Sequence, residues 1–497
     1  MLNPCHWVVV RGALTVVAAV ALSLGHAQPV QAQSFTFNPN DIVVSVLGNG
    51  SNTGTYADGQ AAPLTLFQYA LNGTSSATAA GTLTLPQTST AGGNSAFSSE
   101  YGSSSEGTLQ LSGNGQYLTI MGYGTNANAY NSGFDVNGSG TALAQSPNTG
   151  LGGANISRVI ALIGANGSIN TTTAITGVYS ENNPRSVYTQ NGTSFYISGQ
   201  GNKDLTGGVF YVSHLGANTA TAITGADTSS KSSGTFNQDT RDVQIVNGQL
   251  TVSLDSTEGT ASKGLNIDRI GTLTATGGGL PTTALNQQPV ALAGINGAVT
   301  LSNGNGNSIN HSSGSAYLSP ENFFYANATT LYVADSGEPK NGSSSGTLGV
   351  QNPGDGGLQK WSLVGGSWQL DYTLSGGLNL VQNDDDQNIA NQHGVSGLYG
   401  LAGKVVGNTV ELLATSYVLG DTDQTYLYGI TDTLADTSAS QASGESFTTL
   451  EAAPADSEFK GVSFAPSPVP LPPGLTLLLS GLAVIGLAGK MRRTAVR

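Results

Sequence analysis

Residues 184–216 read PRSVYTQNGTSFYISGQGNKDLTGGVFYVSHLG, and the order of residue types in this stretch decides the fold. RSVYT is an apolar strand, QNG a turn and TSFYISG a second strand of alternating polarity; a polar loop then leads to a third strand, GGVFYVSHLG. Gly supplies positive φ and Asn closes turns through its side chain, so an Asn-Gly pair between two such runs marks an antiparallel hairpin. The phrase recurs. Arg241 to Gly271 gives RDVQI, VNG, QLTVSLD and KGLNIDRIG, and Phe323 to Trp368 gives FFYA, NAT, TLYVADSG and GLQKWSLVGGSW. Gly397 to Leu434 gives LYGLAGKV, VGN, TVELLATS and YLYGITDTL, while Thr108 to Gly164 follows the pattern more loosely.

A unit of three or four antiparallel strands, recurring every ~60 to 80 residues, buries both faces only when it stacks on neighbours around an axis, as in a β-propeller. The ends of the chain fit such a ring. Glu458 to Phe464 (EFKGVSF) reads as a first strand with no partner after it, and Asp41 to Gly48 and Pro63 to Asn72 read as second and third strands with nothing before them. One blade assembled from both termini closes the ring and removes exposed edges. The expected fold is therefore all-β: a single β-propeller over residues 33–466. Its six blades are the shared one and those beginning near residues 107, 184, 240, 322 and 397. Pro289 to Leu318 is unused by this count and has room for a seventh; a β-helix or a pair of β-sandwiches is the alternative architecture.

Composition agrees. Of 497 residues 69 are Gly and only 9% are charged, as expected for many short strands joined by turns. Outside the termini no sustained 3.6-residue apolar period is present. Setting aside the basic residues of the two terminal segments leaves 11 basic against 30 acidic residues, a net charge near −19. Such a surface repels nucleic acid and anionic lipid, so neither is an expected partner.

The termini carry an address. Arg11 precedes an apolar stretch from Ala13 to Leu24, and Val30-Gln31-Ala32 offers the small residues a signal peptidase reads, with Gly25-His26-Ala27 as a second site. Residues 1–32 are thus expected to be a signal peptide. The only cysteine, Cys5, lies within it, which leaves the mature chain without disulfide or thiolate chemistry. At the other end, Ser467-Pro468-Val469-Pro470-Leu471-Pro472-Pro473 is followed by an uncharged run, Gly474 to Gly489, and then by Lys490, Arg492, Arg493 and Arg497. Sixteen residues at about 1.5 Å each give a helix of roughly 24 Å, near the lower limit for crossing a bilayer, and the basic residues after it stay cytoplasmic.

This tail, residues 467–497, resembles the PEP-CTERM sorting signal of bacterial exported proteins: a Pro motif, a short apolar helix and an Arg cluster, in that order. Leu471 stands where the family motif has Glu. The resemblance implies cleavage near Val469–Pro473 by an exosortase-like enzyme, transient anchoring by the C-terminal helix, and residence in the cell envelope, at the surface or in an extracellular polysaccharide matrix. A second resemblance lies in the repeat Thr330 to Tyr372, where TLYVAD, GLQKWSL and WQLDY are similar to the wording of secreted bacterial propeller repeats. It implies a fold, which hosts binding and catalysis alike.

Candidate chemistry is sparse. His214, His311 and His393 lie in different repeats or loops, without spacing that would put two on one face. No metal site or cofactor is expected, save that Asp384-Asp385-Asp386 offers hard oxygen ligands of the kind Ca²⁺ takes; a solvated acidic loop is the plainer reading. Asp335 and Glu338 in ADSGEP and Asp255 and Glu258 in LDSTEG occupy matching strand-to-loop positions, where two carboxylates per repeat bind a ligand or cation, or act as acid and base. Turn capping by the Asp is the structural alternative. Tyr332, Trp361, Trp368, Tyr372, Tyr426 and Tyr428 are suited either to packing between sheets or to stacking on sugars. The expectation is a non-enzymatic binding or structural protein of the polysaccharide matrix; the alternative is a secreted polysaccharide hydrolase or lyase.

Overall fold

A computed structural model describes residues 35–48, 50, 56–91, 93–134, 141–148, 155–201, 206–224, 239–254, 269–285, 287–296, 298–299, 316–337, 356–380 and 393–468. The signal peptide, the Pro motif Val469–Pro473, the apolar run 474–489 and the basic tail lie outside them. Among the described residues the helical pieces are short turns, the longest being Tyr130–Phe134, and no helix is long and apolar enough to cross a membrane.

The chain is all-β and forms a propeller-like ring of antiparallel sheets. Four sheets are separate and four-stranded. Their strands are Pro184–Tyr188, Phe195–Gly199, Phe210–Val212 and Thr221–Ala222; Thr240–Val246, Gln249–Leu254, Arg269–Leu273 and Val290–Asn296; Pro320–Asn327, Thr330–Asp335, Gly357–Val364 and Ser367–Leu374; Val395–Val406, Thr409–Val418, Tyr426–Thr433 and Thr448–Ala452. The hairpins follow their turn residues. Val246 pairs with Gln249 across Asn247 (φ 49°) and Gly248 (φ 79°), the left-handed pair that a two-residue turn needs to match strand twist.

The expected six separate blades are not found; apart from one two-stranded pair, the other strands make one nine-stranded sheet, ordered Ser457–Phe464, Ile42–Gly48, Ala61–Asn72, Ser98–Glu100, Tyr117–Tyr123, Arg158–Gly164 and Ile169–Ile175. Ser76–Thr84 pairs with Ala61–Asn72, and Gln110–Leu111 with Tyr117–Tyr123. Two expected units merge because Ala61, Ala62 and Pro63 at the start of one strand pair with Glu100, Ser99 and Ser98 of a short strand that precedes the next unit, and Ser98 in turn pairs with Tyr123 inside that unit. Repeat counting cannot see such a bridge. Nor does Pro289 to Leu318 hold a further blade among the described residues: Val290–Asn296 is the outer strand of a sheet already counted, and Ala298–Val299 pairs only with Ala316–Tyr317.

The two ends of the domain meet. Ile42–Gly48 pairs antiparallel with Ser457–Phe464, with Ile42 opposite Phe464 and Gly48 opposite Ser457. IVVSVLG reads as a continuous apolar run because both its faces are covered. Val43 and Leu47 join Leu64, Leu118 and Val159 on one side, whereas Ile42, Val44 and Val46 join Leu413, Leu427 and Phe459 on the other. A separate apolar cluster fills each junction in the same way, as with Tyr332, Tyr372, Leu398 and Tyr428 between the last two four-stranded sheets. The innermost strands pack in a closed cycle, from Ser457–Phe464 through Gln110–Leu111, Pro184–Tyr188, Thr240–Val246 and Pro320–Asn327 to Val395–Val406 and back.

The Lys360-Trp361 pair of the sequence motif is structural. Lys360 Nζ, buried, reaches Asp432 Oδ2 at 2.7 Å and donates to Thr433 O at 2.7 Å, while Trp361 points to the opposite cluster and donates from Nε1 to Gln359 Oε1 at 3.0 Å. Tyr332 and Tyr372 hydroxyls donate to the same Asp432. Phe459, with its ring edge-on to Tyr69 at 6.4 Å, is the largest fully buried apolar side chain of the terminal strand. Phe459→Ala is expected to cost about 3–5 kcal/mol in denaturant unfolding; a loss below ~1 kcal/mol would show that the terminal strand does not hold the ring closed.

Candidate functional site

The two ends of the ring differ in what connects the strands. At one end lie short turns such as Asn247-Gly248 and Gly365-Gly366; at the other lie the longer connections that leave the second strand of each unit and those that lead into the next innermost strand. Into this second end opens a cavity of about 580 Å³, walled by Asp58, Glu100, Ser103, Ser104, Glu181, Asn182, Asn183, Arg185, Gln200, Asp239, Arg241, Tyr417 and Asp421 among others. Ligand sites commonly span about 300 to 1,000 Å³.

Four of the innermost strands place a charge at the axis with their second residue. Arg185 and Arg241, each the second residue of its strand, both approach Asp239. Arg185 also donates to Gln200 Oε1 at 3.0 Å, and Arg241 NH1 lies 3.3 Å from Glu321 Oε2 on the next strand. Further round, Lys460 Nζ meets Glu458 Oε2 at 3.1 Å, and the Gly102 N–H donates to Glu458 Oε1 at 3.0 Å. All six of these charged side chains are buried, so each guanidinium or ammonium must be matched locally by a carboxylate.

One carboxyl, Glu100, lines the inner wall, and a second, Glu106, is buried beside it. Glu100 is pushed well above the usual carboxylate range by burial and then by the neighbouring Glu106, against a hydrogen bond from the Ala144 N–H. Glu106 is raised by burial even though Tyr123 Oη, Asn183 Nδ2 (2.7 Å) and the Glu100 N–H (3.1 Å) all donate to it. Behind them the Arg158 guanidinium sits 4.6 Å from the centre of the Tyr123 ring and donates to Ser146 O at 2.9 Å and Tyr179 O at 2.8 Å. Glu100 thus lines the cavity with a carboxyl that holds its proton more tightly than a free one.

The cavity has a floor. Deeper along the same strands, Tyr399 Oη donates to Glu106 O at 3.0 Å and contacts Thr108 Oγ1 at 2.9 Å. Asp242 accepts from Gln110, from Ser186 Oγ at 2.9 Å and from Gln244 Nε2 at 2.6 Å, and Gln244 also donates to Phe323 O at 3.0 Å. These bonds tie five of the innermost strands together across the axis, so the opening is a cup and not a pore.

Of the residues expected at the site, Asp335 is described. It ends Thr330–Asp335, at the same end of the sheets as the cup, but is buried and accepts from the Ser319 N–H (3.0 Å), the Gly337 N–H (2.8 Å) and Gln359 Nε2 (2.7 Å). Its carboxylate anchors the connection and is not among the cup's lining residues. Asp255, Glu258 and Glu338 lie outside the described residues, as do His311 and Asp384–Asp386. Among the described residues no three His, Cys, Asp or Glu side chains are grouped to hold a metal. Tyr332, Trp361, Trp368, Tyr372 and Tyr428 are buried core; Tyr426 is half-buried. Sequence reasoning missed Glu100, Glu106 and the two arginines. The paired openings PRSV and TRDV, with Arg at one register position of two repeats, carried the signal for the arginines; nothing local marks Glu100.

No protein-family model and no curated protein matches the chain. Among solved structures it is similar to the Hadza microbial sialidase Hz136, with a TM-score of 0.36 and 10% identity over 78% of this chain and 62% of that one. It is also similar to a PL25 ulvan lyase, a polysaccharide lyase, bound to -[GlcA(1-4)Rha3S]-, with a TM-score of 0.28 and 10% identity over 84% of this chain and 85% of that one. The chain thus spans about six tenths of the sialidase's length. Likeness at this level leaves function to be argued from the cup itself.

The floor gives a pH dependence. Burial raises the Asp242 carboxyl to about 6 against the donors around it, so the native state holds a proton that the unfolded chain releases near pH 4. Its stabilisation is full below pH 4 and lost as pH rises through 6, on the order of 3 kcal/mol. Asp242→Asn should flatten the unfolding free energy between pH 4 and 7 relative to the parent; an unchanged slope would contradict the assignment.

Proposed function

We propose that the chain is an exported β-propeller protein whose axial cup binds a hydroxyl-rich polysaccharide of the extracellular matrix. The observation that carries this reading is the composition of the wall. Serine hydroxyls, the amides of Asn182, Asn183 and Gln200, and carboxyl and guanidinium groups converge in one closed-bottomed cavity, and such groups pair with sugar hydroxyls. In this reading the nine-stranded sheet acts as two blades, giving six around the axis. The tail 467–497 serves as the PEP-CTERM-like signal, with Val469–Pro473 cut by an exosortase-like enzyme; a fluorescent fusion of the full chain that stays inside the cell would remove this part.

A second reading, hydrolysis or elimination of polysaccharide, is favoured by Glu100, since a carboxyl on a cavity wall whose hold on its proton is tightened by burial is suited to give that proton to a leaving oxygen. One experiment separates the two. Residues 33–466 should be retained by matrix polysaccharide without shortening it, and removing the exposed wall carboxylates by Asp58→Ala with Glu181→Ala should weaken retention about tenfold, ~1.4 kcal/mol. Shortening of the polymer that Glu100→Gln abolishes would replace the first reading with the second; absence of retention and of shortening would end both.

A further inference from the structure

The connection between Thr409–Val418 and Tyr426–Thr433 has two sides. Asp421 faces the cup, whereas Asp423 and Gln424, two and three residues on, wall a separate cleft of about 340 Å³ that opens at the same end of the sheets. The opposite wall is Leu378-Asn379, where the chain leaves Ser367–Leu374, and the side is the half-buried ring of Tyr426.

We propose that this cleft is a second saccharide subsite, taking one pyranose ring of a neutral polysaccharide. Tyr426 lies beside Tyr428 with ring centres 6.0 Å apart at 34°, and Tyr428 is itself fixed, edge-on to Phe447 at 6.0 Å and donating from its hydroxyl to Leu378 O at 3.3 Å. Tyr426 is thus an aromatic face backed by a rigid one, which suits the C–H face of a sugar. The polar groups around it are held in advance of any ligand. Asp423 accepts from the Gly394 N–H at 2.6 Å and the Gly420 N–H at 2.9 Å, and its Oδ1 lies 2.8 Å from His393 Nδ1. The Gln424 amide nitrogen is spent on Ala453 O (2.8 Å) and Thr425 O (3.1 Å), so its oxygen is the atom left to accept from a sugar hydroxyl. Asn379 holds a left-handed φ of 52°, a conformation that costs a non-Gly residue of order 1 kcal/mol and recurs where ligands are clamped.

Neutrality follows from charge. Among the described residues the cleft is lined by a carboxylate and by no Lys or Arg, on a chain of net charge −14, so an anionic sugar is repelled. Because one connection walls both the cup and the cleft, a polymer seated in the cup can run over it into the cleft, and the two weak sites then act on one chain with the gain of an intramolecular second contact. The cleft is argued from its own walls; only the joint binding of a polymer rests on the proposed function of the cup.

The test is saturation-transfer NMR on residues 33–466 with methyl glycosides of neutral hexoses, alongside retention on polysaccharide. Tyr426→Ala should reduce transfer to the bound glycoside at least fivefold, while Tyr426→Phe, which keeps the ring, leaves it in place. Thr449→Arg, a substitution at an exposed rim position that removes no core contact, should block the cleft even if Tyr426→Ala unfolds the sheet. Transfer unaffected by Tyr426→Ala and Thr449→Arg, or absent from the parent with every glycoside, overturns the proposal. Cleft-dependent transfer in a protein that no polysaccharide retains upholds the cleft and removes the cup's function; retention lost only in the cup variants, with transfer indifferent to the cleft, does the reverse.

Discussion

A sheet of four strands stands in this ring only if its innermost strand, which has a partner on one side alone, finds something for its remaining carbonyls. The structure answers with one repeated bond: a Ser or Thr hydroxyl on the second strand of a unit donates to a backbone carbonyl of the next innermost strand or of the segment that leads into it. Ser45 donates to Gly107 O at 2.6 Å, Thr119 to Val187 O at 2.6 Å, Ser198 to Arg241 O at 2.6 Å and Ser253 to Glu321 O at 2.9 Å; Thr415 reaches Lys460 O in the same way. Where the second strand ends in Ala334-Asp335 the direction reverses, and Ser396 on the innermost strand donates to Ser336 O at 2.9 Å. A buried carbonyl without a partner costs on the order of 1–3 kcal/mol, so these hydroxyls convert an apolar seam into a specific one and fix how far each sheet slides past its neighbour.

That fixed register is what assembles the cup. Because the innermost strands begin at the same level, their second residues arrive together at the axis, and Arg185, Arg241, Glu321 and Glu458 are brought into one tier. Burying so many charges is tolerable only as a matched set, and Asp239 between the two guanidiniums supplies the match. Below the tier the groups are neutral or protonated: hydroxyls, amides and Asp242, whose carboxyl keeps its proton to about pH 6. The change from ions to shared protons with depth follows falling access to water, and it makes the bottom of the cup a donor surface more than a charged one.

Much of this was legible in the strands themselves. The Asn-Gly turns, the third strands and the placing of the first and last strands beside each other could be read because strand period and turn chemistry are local, and because IVVSVLG, apolar on both faces, has to lie inside a stack. The aromatic residues of the Lys360-Trp361 repeat were legible as packing for the same reason. Asp335 had the position of a site residue and the chemistry of a cap: its three donors come from residues 2 to 24 positions away, all within its own unit.

The sequence by itself determined that the chain is built of short antiparallel strands in repeating units and that its ends meet, since both follow from residue order within some tens of positions. Only the tertiary structure decided that two units fuse through Ala61–Pro63 and Ser98–Glu100, that Glu100 leans on Glu106, and that the arginines share Asp239. Those contacts are made between units, and the bond that fastens Ser45 to Gly461 spans 416 positions of chain. No local pattern encodes such a distance; it is set by how many sheets the ring holds and by which hydroxyl faces which carbonyl when the circle closes.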